Sequence, residues 1–251
     1  MAFDVDSVST KLQGRAVLWL EETDSTMNDA ARLASMGALS GTVVGAERQT
    51  AGQGRHGRNW HSESGLGLYQ SVILRLPLPP AQLPLATMAL GLAAAEAITN
   101  TTGLAVDLRW PNDVLIGDRK VCGILVQQLQ DALICGIGIN VNQHAFPDDI
   151  VSIATSLRLA AGREFPREPL FVDLMQSIDH HTGILVFQGK DAILKLFTQA
   201  SSYVAGRQVV VDQGGNTLRG TTAGLDEDGF LMLQTGDGKL IRILAGGVRP
   251  A

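Results

Sequence analysis

Between positions 52 and 58 the chain reads Gly-Gln-Gly-Arg-His-Gly-Arg, with no strongly apolar anchor. Gly52, Gly54 and Gly57 let backbone N–H groups close on an anion, and Arg55 and Arg58 carry forked donors suited to phosphate oxygens. The segment is not a Walker loop, because no Lys-Ser/Thr follows a strand, and it does not fit the dinucleotide fingerprint. Alone it reads equally well as a solvated turn. A second stretch, Arg109-Trp110-Pro111-Asn112-Asp113, ends a strand at Trp-Pro and presents Asn112 and Asp113 at its tip. Pro111 interrupts ladder bonding there, leaving both polar side chains free to face a ligand or a cation. A hairpin turn at Gly117-Asp118-Arg119 returns Lys120 close to that tip, beside an apolar run in which Gly123 leaves room for something flat. Either half taken by itself reads as an Asn-Asp turn cap and a solvated hairpin lysine.

These residues need a framework, and the patterning supplies one. Val17–Leu20 reads as a strand, and Asp24-Ser25-Thr26 offers N-cap chemistry for a helix that stops at Gly37. Short strands follow at Thr42–Ala46 and Gly67–Leu76, the second broken by a Pro-Leu-Pro-Pro cluster. Leu83–Asn100 is a helix apolar nearly all round, hence buried. Alternation at Val106, Leu108 and Trp110, then runs at 114–116, 120–127 and 133–141, predict a meander; helices are predicted at 167–187 and 191–200. From about Gly206 short apolar runs alternate with turn clusters, the signature of a small antiparallel barrel. The expected organisation is α+β: a mixed, largely antiparallel sheet backed by helices over residues 1–203, and a small β-barrel over 204–251.

Composition narrows the function. Across 251 residues the net charge is −5, which argues against a sequence-independent grip on DNA. The start, MAFDVDSVST, has no apolar core and is not a signal peptide, and Leu83–Ala97 is too short and mixed to span a bilayer. Cys122 and Cys135 lie in apolar runs without partners at metal-ligand spacing, so they read as core residues in a reducing compartment, and the protein is expected in the cytoplasm. His61, His144, His180 and His181 show no metal-ligand spacing, and the His180-His181 pair is expected on a helix surface.

Taken together, the motifs resemble the biotin–protein ligase family along nearly the whole chain. Thr23-Asp24-Ser25-Thr26, Gln49-Thr50-Ala51-Gly52, Gly54-Arg55-His56-Gly57-Arg58-Asn59-Trp60, Trp110-Pro111-Asn112-Asp113, Arg119-Lys120 with Gly123-Ile124-Leu125, and Gly136-Ile137-Gly138-Ile139-Asn140-Val141-Asn142 stand in the family's order at similar separations. The resemblance implies a fold like that of class II synthetases and lipoate ligases with an SH3-like C-terminal barrel. It also implies ATP and biotin as substrates with Mg2+, a biotinyl-5'-AMP intermediate, and transfer of biotin to a lysine of a biotin carboxyl carrier protein. Ser25, Thr26 and Gln49 would hydrogen-bond the ureido ring, while Gly123 and Leu125 would wall the bicyclic ring and valeryl chain. Lys120, Arg55 and Arg58 would be the catalytic cations. Gly52, Gly54, Gly57, Trp60, Asn112 and Asn140 would meet the nucleotide, Trp60 serving near adenine or simply as core, and Asp113 would face the magnesium region.

The chain also departs from the family pattern. Arg109 replaces the usual lysine before Trp-Pro-Asn-Asp, Gln53 stands where a second loop arginine is common, and Met27 breaks a Ser-Thr-Asn string. Some family members begin with a helix-turn-helix domain; here the Ser25 motif follows only a couple of dozen residues, and an enzyme without DNA binding is expected. A homodimer through the central sheet is consistent with the resemblance, and no membrane association is expected. Two rival readings are lipoate or octanoate ligation or transfer, which would not need the Ser25-Thr26-Gln49 set, and a non-catalytic biotin-binding regulator, which would not need Lys120 and Arg55.

Overall fold

Val43 and Val44 point to opposite sides of one strand, and the two cores of the protein divide there. The computed structural model describes residues 2–79, 82–213 and 216–251. Its larger sheet comprises β1 (Val17–Thr23), β2 (Val43–Gln49), β3 (Gly67–Leu74), β4 (Asp107–Arg109), β5 (Asp113–Ile116), β6 (Arg119–Leu129) and β7 (Ala132–Asn140), in the order β1-β2-β3-β7-β6-β5-β4. β1 and β2 run parallel and the remaining neighbours antiparallel, as the mixed sheet expected from the sequence. The helix α2 (Thr26–Ser35) lays Met27, Ala30 and Ala34 against Val44, Ile73 and Ile134 on one face. The opposite face carries Val43, Leu68 and Val72 and packs under α3 (Leu83–Thr102), α5 (Arg167–Gln188) and α6 (Lys190–Ala200). The alternation of side chains along a strand sends consecutive valines into different cores.

Local chemistry sets the helix ends. The Ser25 hydroxyl accepts from the Met27 N–H and so caps α2, and Gly103 ends α3 in the left-handed region at φ 74°. α3 is buried through most of its length because its small apolar side chains let α5 approach closely. Two helices are absent from the sequence reading: α1 (Val5–Lys11) and the short α4 (Leu157–Ala161). α1 has a good cap in Asp4, but what holds it lies far along the chain. Phe3 stacks on Trp19 at 3.8 Å and meets Phe171 edge-on, while its N–H donates to Glu47 Oε1 at 2.9 Å. Glu47 also accepts from Trp19 Nε1 and forms a forked pair with Arg167 at 2.8 and 3.1 Å, both side chains only 4% exposed. His181, expected on a surface, is buried against Glu96 at 2.6 Å, because α5 turns that face toward α3.

The C-terminal strands β8 (Ala205–Asp212), β9 (Thr217–Leu225), β10 (Leu231–Thr235), β11 (Leu240–Ile243) and β12 (Gly247–Pro250) form a separate sheet in the order β11-β10-β9-β8-β12. The expected barrel is not closed. β11 and β12 are the two edges and share no ladder, yet only residues 244–246 connect them. A link of that length spans at most about 14 Å between the flanking residues, so the sheet curls its edges toward each other without joining them. Trp110 Nε1 donates to Gly229 O at 2.9 Å and ties this sheet to the tip of β4.

Glu47 supplies a stability prediction. Burial disfavours its anion, but hydrogen bonds from Arg167, Phe3 and Trp19 outweigh that and hold its carboxyl below the ordinary glutamate value. A depressed folded-state pKa means that the contribution is present at neutral pH and is lost as pH falls through the acidic range. Glu47→Gln should therefore lower stability at pH 7 by about 3 kcal/mol, the scale for breaking a buried pair. Urea denaturation at pH 7 and pH 4 checks this: the gap between variant and wild type should narrow at pH 4.

Candidate active site

The parallel pairing of β1 with β2 sets Thr23 beside Gln49, and the chain leaves β1 directly into the first turn of α2. That brings Thr26 onto Gln49: its N–H and hydroxyl reach Oε1 at 3.0 and 3.1 Å. The Thr26 hydroxyl also lies 2.8 Å from Ser71 Oγ on β3, and Gln49 Nε2 donates to Ser62 Oγ at 3.1 Å. Ser62 and Ser71 extend the polar set beyond the sequence reading, since neither belongs to a recognisable motif. Thr26 and Gln49 edge a small pocket whose walls include Met27, Gly123, Leu125, Gly136 and Gly138, with Ser62 and Ser71 bonded behind them. Ser25 lies behind it, buried and occupied with the helix cap.

Glycines on β6 and β7 make the pocket, but side chains of the protein already lean into the space they leave. A Cβ at Gly138 would lie 2.5 Å from the Trp60 indole, and one at Gly123 would lie 2.8 Å from Trp60 and 2.7 Å from Lys120 Nζ. At Gly136 a Cβ would meet Met27 Sδ at 2.6 Å. The flat group over Gly123 is therefore the indole of Trp60, whose buried Nε1 has no hydrogen-bond partner among the described residues.

The glycine loop is folded. Trp60 N–H donates to Gly52 O, Gly54 N–H donates to Arg58 O, and Gln53 bridges to Asn59. His56, at φ 57°, and Gly57, at φ 71°, turn the tip through the left-handed region. Gln53 Nε2 donates to Asn28 Oδ1 at 2.9 Å, and Asn28 Nδ2 donates to Asp24 Oδ2 at 2.9 Å. Gln53 thus joins the loop to α2 through a neutral contact. Arg55 turns inward, donating to Asn112 Oδ1 at 2.8 Å and reaching Gly246 O at 3.5 Å. Burial lowers its pKa, the charge of Asp113 opposes that, and the neighbouring Arg58 adds to the lowering.

Asp113 lies behind Arg55 and Lys120. Lys120 Nζ pairs with its Oδ1 at 2.5 Å, and Arg109 reaches its Oδ2 from Nη2 at 2.7 Å and Nε at 3.3 Å. Burial alone would raise the Asp113 pKa, but Lys120 and Arg109 overcome it and hold the carboxyl below its usual value. The main chain of Lys120 is fixed as well: its N–H donates to Ile153 O at 2.7 Å, and Thr155 N–H donates to Lys120 O at 2.9 Å. Asn140 Nδ2 donates to Thr155 O, securing the same segment from β7.

A cavity of about 490 Å3 opens in front of these groups, within the usual range for a small-molecule site. Arg55, Arg58, Trp60, Asn112, Asp113, Lys120 and Asn140 line it, with Ile153 on one rim and Leu244–Val248 of the C-terminal sheet on the other. Gly54, Arg55, Trp60, Asn112 and Lys120 border both this cavity and the small pocket, so the two spaces adjoin across these residues. Gly52 and Gly57 line neither and serve the loop's own geometry. Asp113, expected near magnesium, has both oxygens paired with cations, and no group of three His, Cys, Asp or Glu among the described residues could hold a resident metal ion by itself.

Comparison with known proteins agrees with this geometry. The profile of the Biotin/lipoate A/B protein ligase family matches residues 19–143, and that of the Biotin protein ligase C terminal domain matches 204–248. The chain is 32% identical to the biotin–[acetyl-CoA-carboxylase] ligase of Mycobacterium tuberculosis over 98% of this chain and 94% of that protein. The chain belongs to the biotin protein ligase family. It is also 34% identical to the bifunctional ligase/repressor BirA of Bacillus subtilis, over 92% of this chain and 73% of that one. Among solved structures, the biotin protein ligase from Aquifex aeolicus in complex with biotin and ATP superposes with a TM-score of 0.83 at 32% identity, covering 94% of this chain and 99% of that one. Within this family fold, the indole over Gly138 gives a direct test. Gly138→Ala should expel Trp60 and shift the tryptophan emission to the red, and the shift should vanish in a Trp60→Phe background. Unchanged emission from folded Gly138→Ala would mean the indole does not occupy that space.

Proposed function

We propose that the protein activates biotin with ATP to biotinyl-5'-AMP and passes the biotin to a lysine of a biotin carboxyl carrier protein. The observation that carries this reading is the position of Lys120 and Arg55 where a small pocket with neutral polar groups meets a larger cavity lined by cations. The Aquifex relative, solved with biotin and ATP, supports the pairing of those two ligands. In this reading residues 1–203 form the catalytic unit and 204–251 a second unit that walls the nucleotide cavity. The protein works in the cytoplasm without contacting DNA or membrane.

Thr26 and Gln49 face the ureido ring, and Leu125 and Gly123 flank the bicyclic ring and acyl chain. The biotin carboxylate attacks the α-phosphorus of ATP, an acyl–phosphate bond forms, and pyrophosphate leaves with the electrons of the broken P–O bond. Two anions must approach each other, so the protein's task is positioning and charge neutralisation. Arg55 and Arg58 hold phosphate oxygens, and Lys120 stands between the carboxylate and the α-phosphate. Asn112 and Asn140 orient the nucleotide side. Magnesium enters with ATP as part of the substrate. In the second step the carrier amine attacks the mixed anhydride, giving an amide and releasing AMP. Trp60 lies over Gly123 and Gly138, so its indole shifts to admit the bicyclic ring.

The Thr26–Gln49 set favours biotin over lipoate or octanoate, whose dithiolane or plain acyl chain gives it nothing to bond. Pyrophosphate release should depend on biotin and should stay at background with lipoate or octanoate. Lys120→Ala should cut the biotin-dependent rate by roughly two orders of magnitude, the scale for one electrostatic stabiliser. Equal turnover with lipoate, or a folded Lys120→Ala at full rate, would overturn the reading.

A further inference from the structure

One carboxylate serves two cations at the back of the cavity, and the division is unequal. Arg109 takes Oδ2 with two nitrogens, whereas Lys120 holds Oδ1 with one. Lys120 is 28% exposed and borders both the small pocket and the cavity, while Arg109 is 16% exposed, borders the cavity alone and lies near the ring of Tyr203, at 6.0 Å from its centroid. A second cation, Arg207, sits 3.9 Å from the same centroid and is anchored on Asp118 at 2.7 Å, which leaves Asp113 as the carboxylate that Arg109 pairs with. Arg109 is thus the fixed partner of Asp113 and Lys120 the one with somewhere to go.

Incoming phosphate and carboxylate oxygens compete with Asp113 for the Lys120 ammonium. A buried carboxylate left without a partner is costly, which would hold the lysine back. Arg109 removes that obstacle, because it stays on Oδ2 when the lysine turns outward. A planar fork can keep two N–H groups on one oxygen, which a point charge at the same position cannot reproduce.

We propose that Arg109 is a positioning residue that, by holding Asp113, releases Lys120 to the anions of the substrates. This rests on the ligase reading above. The replacement of the family's usual lysine by Arg109 then gives this chain a firmer hold on the carboxylate.

The test follows Lys120 itself as well as turnover. Ligand-free protein is treated briefly with acetic anhydride, and acetylation of Lys120 is read by peptide mass relative to the exposed Lys195. In Arg109→Gln, Asp113 has only Lys120 to pair with, so Lys120 acetylation should slow about threefold. Its kcat for biotin-dependent pyrophosphate release should fall about tenfold with the KM for biotin unchanged, the pattern of an interaction lost in the transition state alone. Asp113→Asn should speed acetylation of Lys120. The double variant should label like Asp113→Asn alone, since Arg109 then has nothing to act through. Arg109→Lys should lie between wild type and Arg109→Gln, and it decides the question should Arg109→Gln fold poorly. Unchanged labelling and kcat in a folded Arg109 variant, or additive effects in the double variant, would overturn the proposal. The labelling needs no substrate, so a wild type that releases no pyrophosphate with biotin would defeat the ligase reading while leaving the Arg109–Asp113–Lys120 coupling separately judged.

Discussion

A carboxylate withdrawn from water must be surrounded by groups that replace the water, and Asp113 sets that requirement at the centre of this protein. Lys120 and Arg109 take its two oxygens, and Arg55 lies close enough to feel its charge. Three cations therefore gather around one anion, where otherwise they would repel each other. The strand pairing delivers them. β4 and β5 place Arg109 opposite Asp113, and β5 and β6 place Asp113 opposite Gly123, with an irregularity after Val114 that brings Lys120 back within reach.

The complementary constraint is a missing one. Three glycines on adjacent strands, Gly123, Gly136 and Gly138, carve a hollow into an otherwise filled sheet face, and side chains from elsewhere bend over it. Trp60 arrives from the glycine loop, Met27 from α2 and Lys120 from the start of β6. The hollow is shaped by what borrows the space as much as by the strands beneath. That arrangement joins the loop, the first turn of α2 and Lys120 in a single packing unit.

Much of this was legible in the sequence because it depends on short, local patterns. Turn residues at Gly117 and Asp118 fixed a hairpin, continuous apolar runs marked the central strands, and Ser25 announced a helix start. The resemblance to the family brought together Arg55, Asn112 and Lys120, which the fold gathers at one cavity. What escaped depends on partners distant along the chain. α1 is held by Glu47, Arg167 and Phe171, none of which reveals itself from residues 3–11. His181 looked like surface decoration until α5 was packed on α3 and Glu96 met it. Ser62 and Ser71 joined the polar set only through pairing of β2 with β3 and the path of the loop. The barrel expected at the C-terminus has the right strands, but closure needs a ladder between β11 and β12 that the pattern of apolar runs does not encode.

The two bonds that stitch residues 153 and 155 to the main chain of Lys120 give the cavity mouth two unlike sides. On the lysine side the rim is continuous with the large sheet and behaves as a door frame. On the other side Leu244–Val248 belongs to an open sheet and meets the arginine of the glycine loop through one long contact from Arg55 to Gly246. The frame cannot shift without moving the main chain of Lys120, so of the two sides of the mouth the C-terminal one is the less constrained.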